Sequence, residues 1–300
     1  MALFGGIEAG GTKFICAIGS SPEDIQAEVR YPTTQPEETI GKAVDFFRQF
    51  MVKNHVHLQG IGIGSFGPLD LNRGSPNYGS ISATPKPGWS DTPIVRMVEE
   101  KAGIRATLDT DVNAAALGEG TWGAARDVDD FIYITIGTGI GGGLIVNNKP
   151  QHGLVHPEMG HIRLPHDLET DPFKGICPFH GDCFEGLASG PAIQTRFKQP
   201  AETLPEYHPA WEVEANYIAL ALHNFICTLS PQRIILGGGV MQNHHLFPMV
   251  RLKVTQFLNQ YVQAVEILQN IDRYIVPPAL GGRAGVLGAI ALAKQNFGSG

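Results

Sequence analysis

The sequence predicts an α/β protein with two similar α/β lobes and a central cleft. Three observations lead there. Two strand–glycine turn–strand openings, at 3–18 and 131–146, stand about 130 residues apart and read as a weak internal duplication. Apolar residues at helical spacing alternate with short strand-like apolar runs along the whole chain. More than half of the 37 glycines fall in five short windows (5–11, 60–67, 137–143, 237–239 and 281–288), mostly at the ends of apolar runs. That placement suggests backbone brought close to a ligand.

The elements follow in order. Leu3–Glu8 and Phe14–Ile18 read as a hairpin around Gly10-Gly11-Thr12-Lys13. Ile40, Val44, Phe47 and Met51 are spaced as one helix face over 37–53. Gly60–Gly64 is a short buried strand ending at Gly67-Pro68, and 69–90 is a long Gly/Pro/Ser/Asn loop of the kind that carries function. A helix (93–102), a strand (104–109) and a second helix (112–120) come next. Phe131–Ile136 opens the second unit, with a glycine turn over 137–143 and a strand at 144–146. Helices are expected near 187–198, 211–228, 243–260 and 284–295, and strands at 233–236 and 273–276. The resulting domains are 1–118, completed by a C-terminal helix at 285–297, and 119–284.

Composition narrows the function. With 22 basic and 29 acidic residues the net charge is −7, which argues against nucleic acid as a partner. No 18-residue apolar run occurs and MALFGGIEAGG has no basic leader, so neither a membrane span nor a signal peptide is expected. Cys16, Cys177, Cys183 and Cys227 are too few for a disulfide scaffold in a chain of 300 residues, which suits a cytoplasmic protein. Gly298-Ser299-Gly300 reads as a disordered end or an artificial tail.

Three groups of residues carry chemistry. Gly10–Lys13, Gly137–Gly143 and Gly237-Gly238-Gly239 each follow a strand-like run, so their N–H groups suit phosphate. Any one alone is usually only a turn; three in register across two similar halves point to phosphate binding. Asp111, between a strand and a helix, is either that helix's cap or a general base. Cys177-Pro178-Phe179-His180-Gly181-Asp182-Cys183, with His161 sixteen residues upstream of Cys177, offers two thiolates and two imidazoles. That set suits a closed, structural tetrahedral zinc site. Glu158 and Glu185 bracket it, either as solvated acids or as rigid acceptors for sugar hydroxyls.

On these residues the chain resembles the ROK family of sugar kinases and repressors, above all its bacterial zinc-containing fructokinases. The segments are GIEAGGTKF at 6–14, DTDVNAAALGE at 109–119, IGTGIGGG at 136–143, HPEMGHI at 156–162, CPFHGDCFEGLASGPAI at 177–193 and LGGGV at 236–240. The resemblance implies an actin-like, hexokinase-type ATPase fold whose lobes close on ATP and a hexose. It implies Asp111 as the catalytic base, and Gly10, Gly11, Thr12, Lys13, Thr138, Gly139, Pro191 and Gly237–Val240 (with Gly238 and Gly239) at the nucleotide. Gly67, Pro68, Thr110, Asn113, Glu158, His161 and Glu185 fall on the sugar side, with His161, Cys177, His180 and Cys183 on zinc. ATP, Mg²⁺ and a structural Zn²⁺ are the implied cofactors, and a homodimer the implied assembly.

Two departures bear on the substrate. Thr110 stands where glucose-using relatives carry Asn, which favours fructose, and Glu8 stands where many relatives carry Asp, which loosens its expected part in placing Mg²⁺. The expected reaction is ATP-dependent phosphorylation of D-fructose. The rivals are a broader hexose kinase (mannose, glucose or an N-acetylated amino sugar), a non-catalytic sugar binder, and a sugar-sensing repressor. The repressor is disfavoured because the first glycine turn begins within a dozen residues of Met1.

Overall fold

A computed structural model of the chain describes residues 2–298; Ser299 and Gly300 of the expected tail lie outside them. The described chain forms two compact units. Unit 1 spans Met1–Asp127, Gly143–Pro157 and Ala279–Gly300, and unit 2 spans Val128–Gly142 and Glu158–Pro278.

Following the chain, unit 1 begins with β1 (Leu3–Ala9), β2 (Lys13–Ser21), β3 (Asp24–Pro32), α1 (Pro36–Asn54) and β4 (Leu58–Ser65). The small ladder of β5 (Leu69–Asp70) and β6 (Ser80–Ile81) is followed by α2 (Ile94–Ala102), β7 (Ala106–Thr110) and α3 (Asp111–Trp122). The main sheet has the order β3-β2-β1-β4-β7. β1 and β2 are antiparallel, whereas β1, β4 and β7 run parallel. Strand β3 was missed because Asp24–Pro32 alternates half-buried and exposed residues and so lacks an apolar run. The expected 69–90 loop is likewise interrupted by β5 and β6. Trp89 is fully buried there, against Phe14 and Phe66.

Unit 2 opens with β8 (Phe131–Ile136). β9 (Ile140–Val146) starts in unit 2 and ends in unit 1, where it pairs with β10 (Lys149–Pro150). The glycine turn is therefore shorter than expected: only 137–139 is a turn, and Gly141–Gly143 are strand residues. Their lack of a side chain serves packing. A Cβ at Gly142 would lie 2.4 Å from Met159 Sδ, and one at Gly143 2.5 Å from the Val112 carbonyl.

Unit 2 continues with α4 (Phe184–Ala188), α5 (Gly190–Phe197), α6 (Ala210–Leu229), β11 (Arg233–Gly237), α7 (Leu246–Leu258), α8 (Val265–Leu268), α9 (Ile271–Tyr274) and β12 (Ile275–Val276). β8, β11 and β12 pair in parallel. The single helix expected over 187–198 is two, because Ser189 is extended and caps α5 by accepting from the Ala192 N–H at 3.4 Å.

The chain then re-enters unit 1 as α10 (Ala284–Phe297). Ile7, Phe14, Ile40, Phe47, Ile63 and Val98 form a core shared by the sheet, α1 and α2. Phe4, Ile15, Val286 and Ile290 form a second one, shared by the sheet and α10. Here several of the clustered glycines, expected at a ligand, prove to serve helix packing. A Cβ at Gly62 would lie 1.9 Å from the Ala289 carbonyl oxygen, and one at Gly288 1.7 Å from that of Ala114. Backbone thus meets backbone where side chains ordinarily intervene.

Gly62→Ala and Gly288→Ala are each expected to lose about 3 kcal/mol or more of unfolding free energy through overpacking. Urea denaturation checks this against Gly11→Ala, whose Cβ meets nothing within 4 Å and which should stay within about 0.5 kcal/mol of the parent.

Candidate functional site

In unit 1 the site residues gather at the carboxyl ends of β1, β4 and β7, the edge where parallel sheets take ligands. β1 runs out into Gly10–Lys13, closed by the Gly10 N–H donating to the Lys13 carbonyl at 3.0 Å. Thr33, just beyond β3, buttresses this turn: its hydroxyl donates to the Gly10 carbonyl at 2.7 Å and its N–H to that of Thr12 at 2.9 Å. Lys86 adds a cation nearby, its Nζ donating to the Thr33 carbonyl at 3.4 Å. β4 runs out into Gly67-Pro68, a cis peptide, with the His156 ring 3.5 Å from where a Gly67 Cβ would stand.

β7 runs straight into α3. The cap of α3 is Thr110, not Asp111: Thr110 Oγ1 accepts from the Asn113 N–H at 3.1 Å. Asp111 is the first helical residue, its Oδ1 accepting from the Val112 N–H at 2.9 Å. Asp109 is 3% exposed and holds three groups: Oδ1 accepts from the Thr110 N–H at 2.8 Å and from Asn113 Nδ2 at 2.7 Å, and His152 Nε2 lies 3.0 Å from Oδ2. That hydrogen bond raises the His152 pKa above the ordinary imidazole value.

Glu8, on β1, is a strongly perturbed carboxyl of this edge. Burial first, and the Asp111 charge second, raise its pKa to about 7; Lys13 and Arg30 act the other way. Its Oε2 is buried without a hydrogen-bond partner, and a Cβ at Gly285 would meet its Cδ at 2.5 Å.

Unit 2 brings three of the sequence-predicted nucleotide segments together. The Gly190 N–H, at the start of α5 beside Pro191, donates to the Gly137 carbonyl at 2.8 Å. Gly238 has φ +91°, where any Cβ would lie 2.3 Å from the Ile136 carbonyl oxygen. This left-handed residue lets the chain turn sharply after β11 and bring the Gly239 N–H within 3.8 Å of a Cβ position on Gly137. Thr138 and Gly239 are exposed on these turns, whereas Val240 is buried. Glu185 is tied to the first of them, its Oε2 accepting from the Ile140 N–H at 2.9 Å.

The knuckle is equally built. Cys177 and Gly181 exchange two backbone hydrogen bonds, of 3.1 and 2.9 Å, which fold the Cys177–Cys183 segment back on itself. One donor atom from each of His161, Cys177, His180 and Cys183 lies within 4.8 Å of the others. Cys177 Sγ is 3.7 Å from His161 Nδ1 and 3.5 Å from His180 Nδ1, and Cys183 Sγ is 3.5 Å from His161 Nδ1. A tetrahedron with metal–ligand bonds of about 2.0–2.3 Å has edges of roughly 3.3–3.8 Å, so the set fits a metal ion. Around it, Arg163 pairs with Asp182 at 2.7 Å and donates to the His180 carbonyl at 2.8 Å. His166 Nδ1 holds the same Asp182 at 3.1 Å. Glu158 precedes the short turn of Met159–His161, whose His161 N–H donates to the Glu158 carbonyl at 3.0 Å.

Sequence reasoning missed Asp109, His152, His156 and Lys86. Asp109 was legible only as the end of a strand, and His152 reaches it from a segment 43 residues away.

The chain matches the ROK family over residues 4–296. It is 44% identical over 299 residues to a fructokinase of Zymomonas mobilis, covering 97% of this chain and 96% of that one. It is 43% identical over 292 residues to a fructokinase of Pediococcus pentosaceus, covering 97% and 98%. A ROK family glucokinase from Streptomyces griseus, solved with glucose and AMPPNP, superposes with a TM-score of 0.72 at 26% identity, covering 98% of this chain and 100% of that one. The fold is accordingly the actin-like, hexokinase-type ATPase fold.

The raised Glu8 pKa fixes the sign of a pH effect. Between about pH 4.5 and 7 the folded chain keeps the Glu8 proton that the unfolded chain releases, so Glu8 takes stability away as pH rises through that window. Glu8→Gln should therefore gain on the parent from pH 4.5 to 7, by on the order of 3 kcal/mol, and hold that gain above pH 7. Chemical denaturation across that range checks it.

Proposed function

The chain belongs to the ROK family, and on that premise we propose that it is a fructokinase, transferring the γ-phosphoryl group of ATP to the 6-hydroxyl of D-fructose. The observation that carries this reading is Asp111, a carboxylate set on the first residue of α3 at the carboxyl edge of the unit 1 sheet. Identity of 44% and 43% to two fructokinases over nearly the full length supports the choice of sugar. Thr110 supports it too, offering a hydroxyl already engaged as a helix cap where glucose-using relatives present an Asn amide.

In this reading Asp111 takes the hydroxyl proton as the sugar oxygen bonds to the γ-phosphorus. The bond to the bridging oxygen breaks, and ADP leaves with that electron pair. Gly10, Gly11, Thr12 and Lys13 of unit 1, with Thr138, Gly139, Pro191, Gly237, Gly238, Gly239 and Val240 of unit 2, serve the nucleotide. Backbone N–H groups of the glycine turns, other than those of Gly10 and Gly137 that close the turns themselves, would donate to phosphate oxygens. Mg²⁺, when bound with ATP, neutralises phosphate charge; Glu8, with its unpartnered Oε2, is the unit 1 carboxyl suited to orient it. Gly67, Pro68, Thr110, Asn113, Glu158, His161 and Glu185 serve the sugar, the carboxylates as rigid hydroxyl acceptors.

His161 would also hold zinc through Nδ1, together with Cys177, His180 and Cys183, and keeps Nε2 for the sugar side. Four protein ligands would close the site, so its part would be to fix the two segments that carry Glu158 and Glu185. Four free thiols suit a reducing cytoplasm, where the enzyme would work as a homodimer.

A coupled ADP-release assay across fructose, mannose, glucose and N-acetylated amino sugars decides the substrate. Fructose should dominate kcat/KM, and comparable values on glucose would refute the fructokinase reading while leaving a hexose kinase. Asp111→Ala should lower kcat at least about 1,000-fold with ADP affinity nearly unchanged, since the base acts on the reacting hydroxyl. Elemental analysis of the purified protein should give one zinc per chain, and Cys183→Ser should lose both the metal and several degrees of Tm. A folded, active protein without metal would overturn the zinc site.

A further inference from the structure

His152 is clasped by a buried carboxylate while remaining open to solvent. Its Nε2 lies 3.1 and 3.0 Å from the two oxygens of Asp109, whose side chain is 4% exposed, whereas the imidazole is 40% exposed. With Nε2 turned inward, Nδ1 on the other side of the ring is directed away from Asp109. The same carboxylate accepts from Asn113 Nδ2 at 2.7 Å, which turns the Asn113 carbonyl oxygen the opposite way. Asn113 is 1% exposed, and that Oδ1 is buried with no hydrogen-bond partner. Buried acceptors are ordinarily satisfied, so an orphan two residues along the chain from the proposed base points to a ligand hydroxyl.

Asp109 thus sets out one ring nitrogen and one carbonyl oxygen, two residues before Asp111. The segment carrying His152 is held at a second point, where the Leu69 N–H donates to His156 Nε2 at 3.3 Å, next to Gly67-Pro68. It therefore lies along the carboxyl edge of β4 and β7.

We propose that His152 and Asn113, keyed by Asp109, form a hydroxyl-reading pair for the sugar, His152 donating through Nδ1 and Asn113 accepting through Oδ1. The pair rests on the sugar-kinase reading above and adds to it a donor that the acceptor carboxylates Glu158 and Glu185 do not supply. Asp109 favours the imidazolium, in which both ring nitrogens donate. A mere clip between Asp109 and the 151–157 segment is the competing role, and the two separate on one substitution. In His152→Gln the amide nitrogen still donates to Asp109, but the atom turned outward is an oxygen that only accepts.

The experiment is steady-state kinetics of the full chain, with melting curves, for the parent, His152→Gln and His152→Ala. Both variants should raise the KM for fructose at least about tenfold, with kcat and the KM for ATP within threefold and the Tm of His152→Gln within about 2 °C. A parental fructose KM in His152→Gln, or a KM rise that only follows a falling Tm, overturns the pair and leaves the clip. If neither variant folds, fructose is titrated into the ¹⁵N-histidine-labelled parent, where an unmoved His152 ring signal overturns it equally. A parent that releases ADP with no hexose sinks the sugar-kinase reading itself, an outcome distinct from an active parent with an unchanged variant.

Discussion

The site in unit 1 depends on backbone touching backbone. Helix α10 lies against the sheet through Gly62, whose missing Cβ leaves room for the Ala289 carbonyl, and against α3 through Gly288, which makes room for Ala114. Gly118 repeats the contact near the other end of α3, facing the Ala284 carbonyl. Such approaches leave little freedom to slide, because carbonyl groups, unlike side chains, have no rotamers to adjust. The direction in which α3 leaves β7 is fixed by that contact, and with it the place of Asp111.

Upon that frame the carboxylates divide by surroundings. Asp111 sits on the first residue of α3. Glu8, close enough to feel Asp111, is pushed toward the neutral acid by burial and by that neighbour. Asp109 is the most enclosed of the three, yet it is furnished with donors from Thr110, Asn113 and His152. Three acids within one sheet edge thus stand in three different surroundings. Glu119 shows the structural extreme: fully buried, it accepts from the backbone N–H groups of Ala279 and Leu280, where the chain re-enters unit 1.

Much of this was legible in the sequence because it is local. The knuckle closes within seven residues, and its Cys and His residues, with His161 sixteen residues upstream, could be read as a group from spacing. The strand-to-helix junction at 109–114 was legible for the same reason, although capping went to Thr110 rather than Asp111, a shift of one residue that only the hydrogen bond to the Asn113 N–H decides. What stayed hidden is non-local. Nothing in Gln151-His152-Gly153 announces a buried acid far earlier in the chain, and Asp24–Pro32 hides a strand because its neighbours cover only one face. Glycine misled in an instructive way: its windows were read as ligand loops, yet Gly62, Gly142, Gly143 and Gly288 admit other parts of the protein. An excess of glycine reports close approach without saying to what.

The way α10 completes unit 1 has a consequence for how the protein is made. Helix α10 belongs to unit 1, where it covers one face of the sheet, but is translated after the whole 158–278 segment. On the ribosome β1–β4, β7 and α3 must wait with one face of their sheet uncovered, while unit 2 has its entire sequence available earlier. Long-range closure of this kind slows folding and prolongs the exposure of apolar strands, here Phe4, Ile15 and Ala17. Synthesis therefore imposes an order in which the unit that begins the chain is the last to be finished, and in which that uncovered face is what a chaperone would meet.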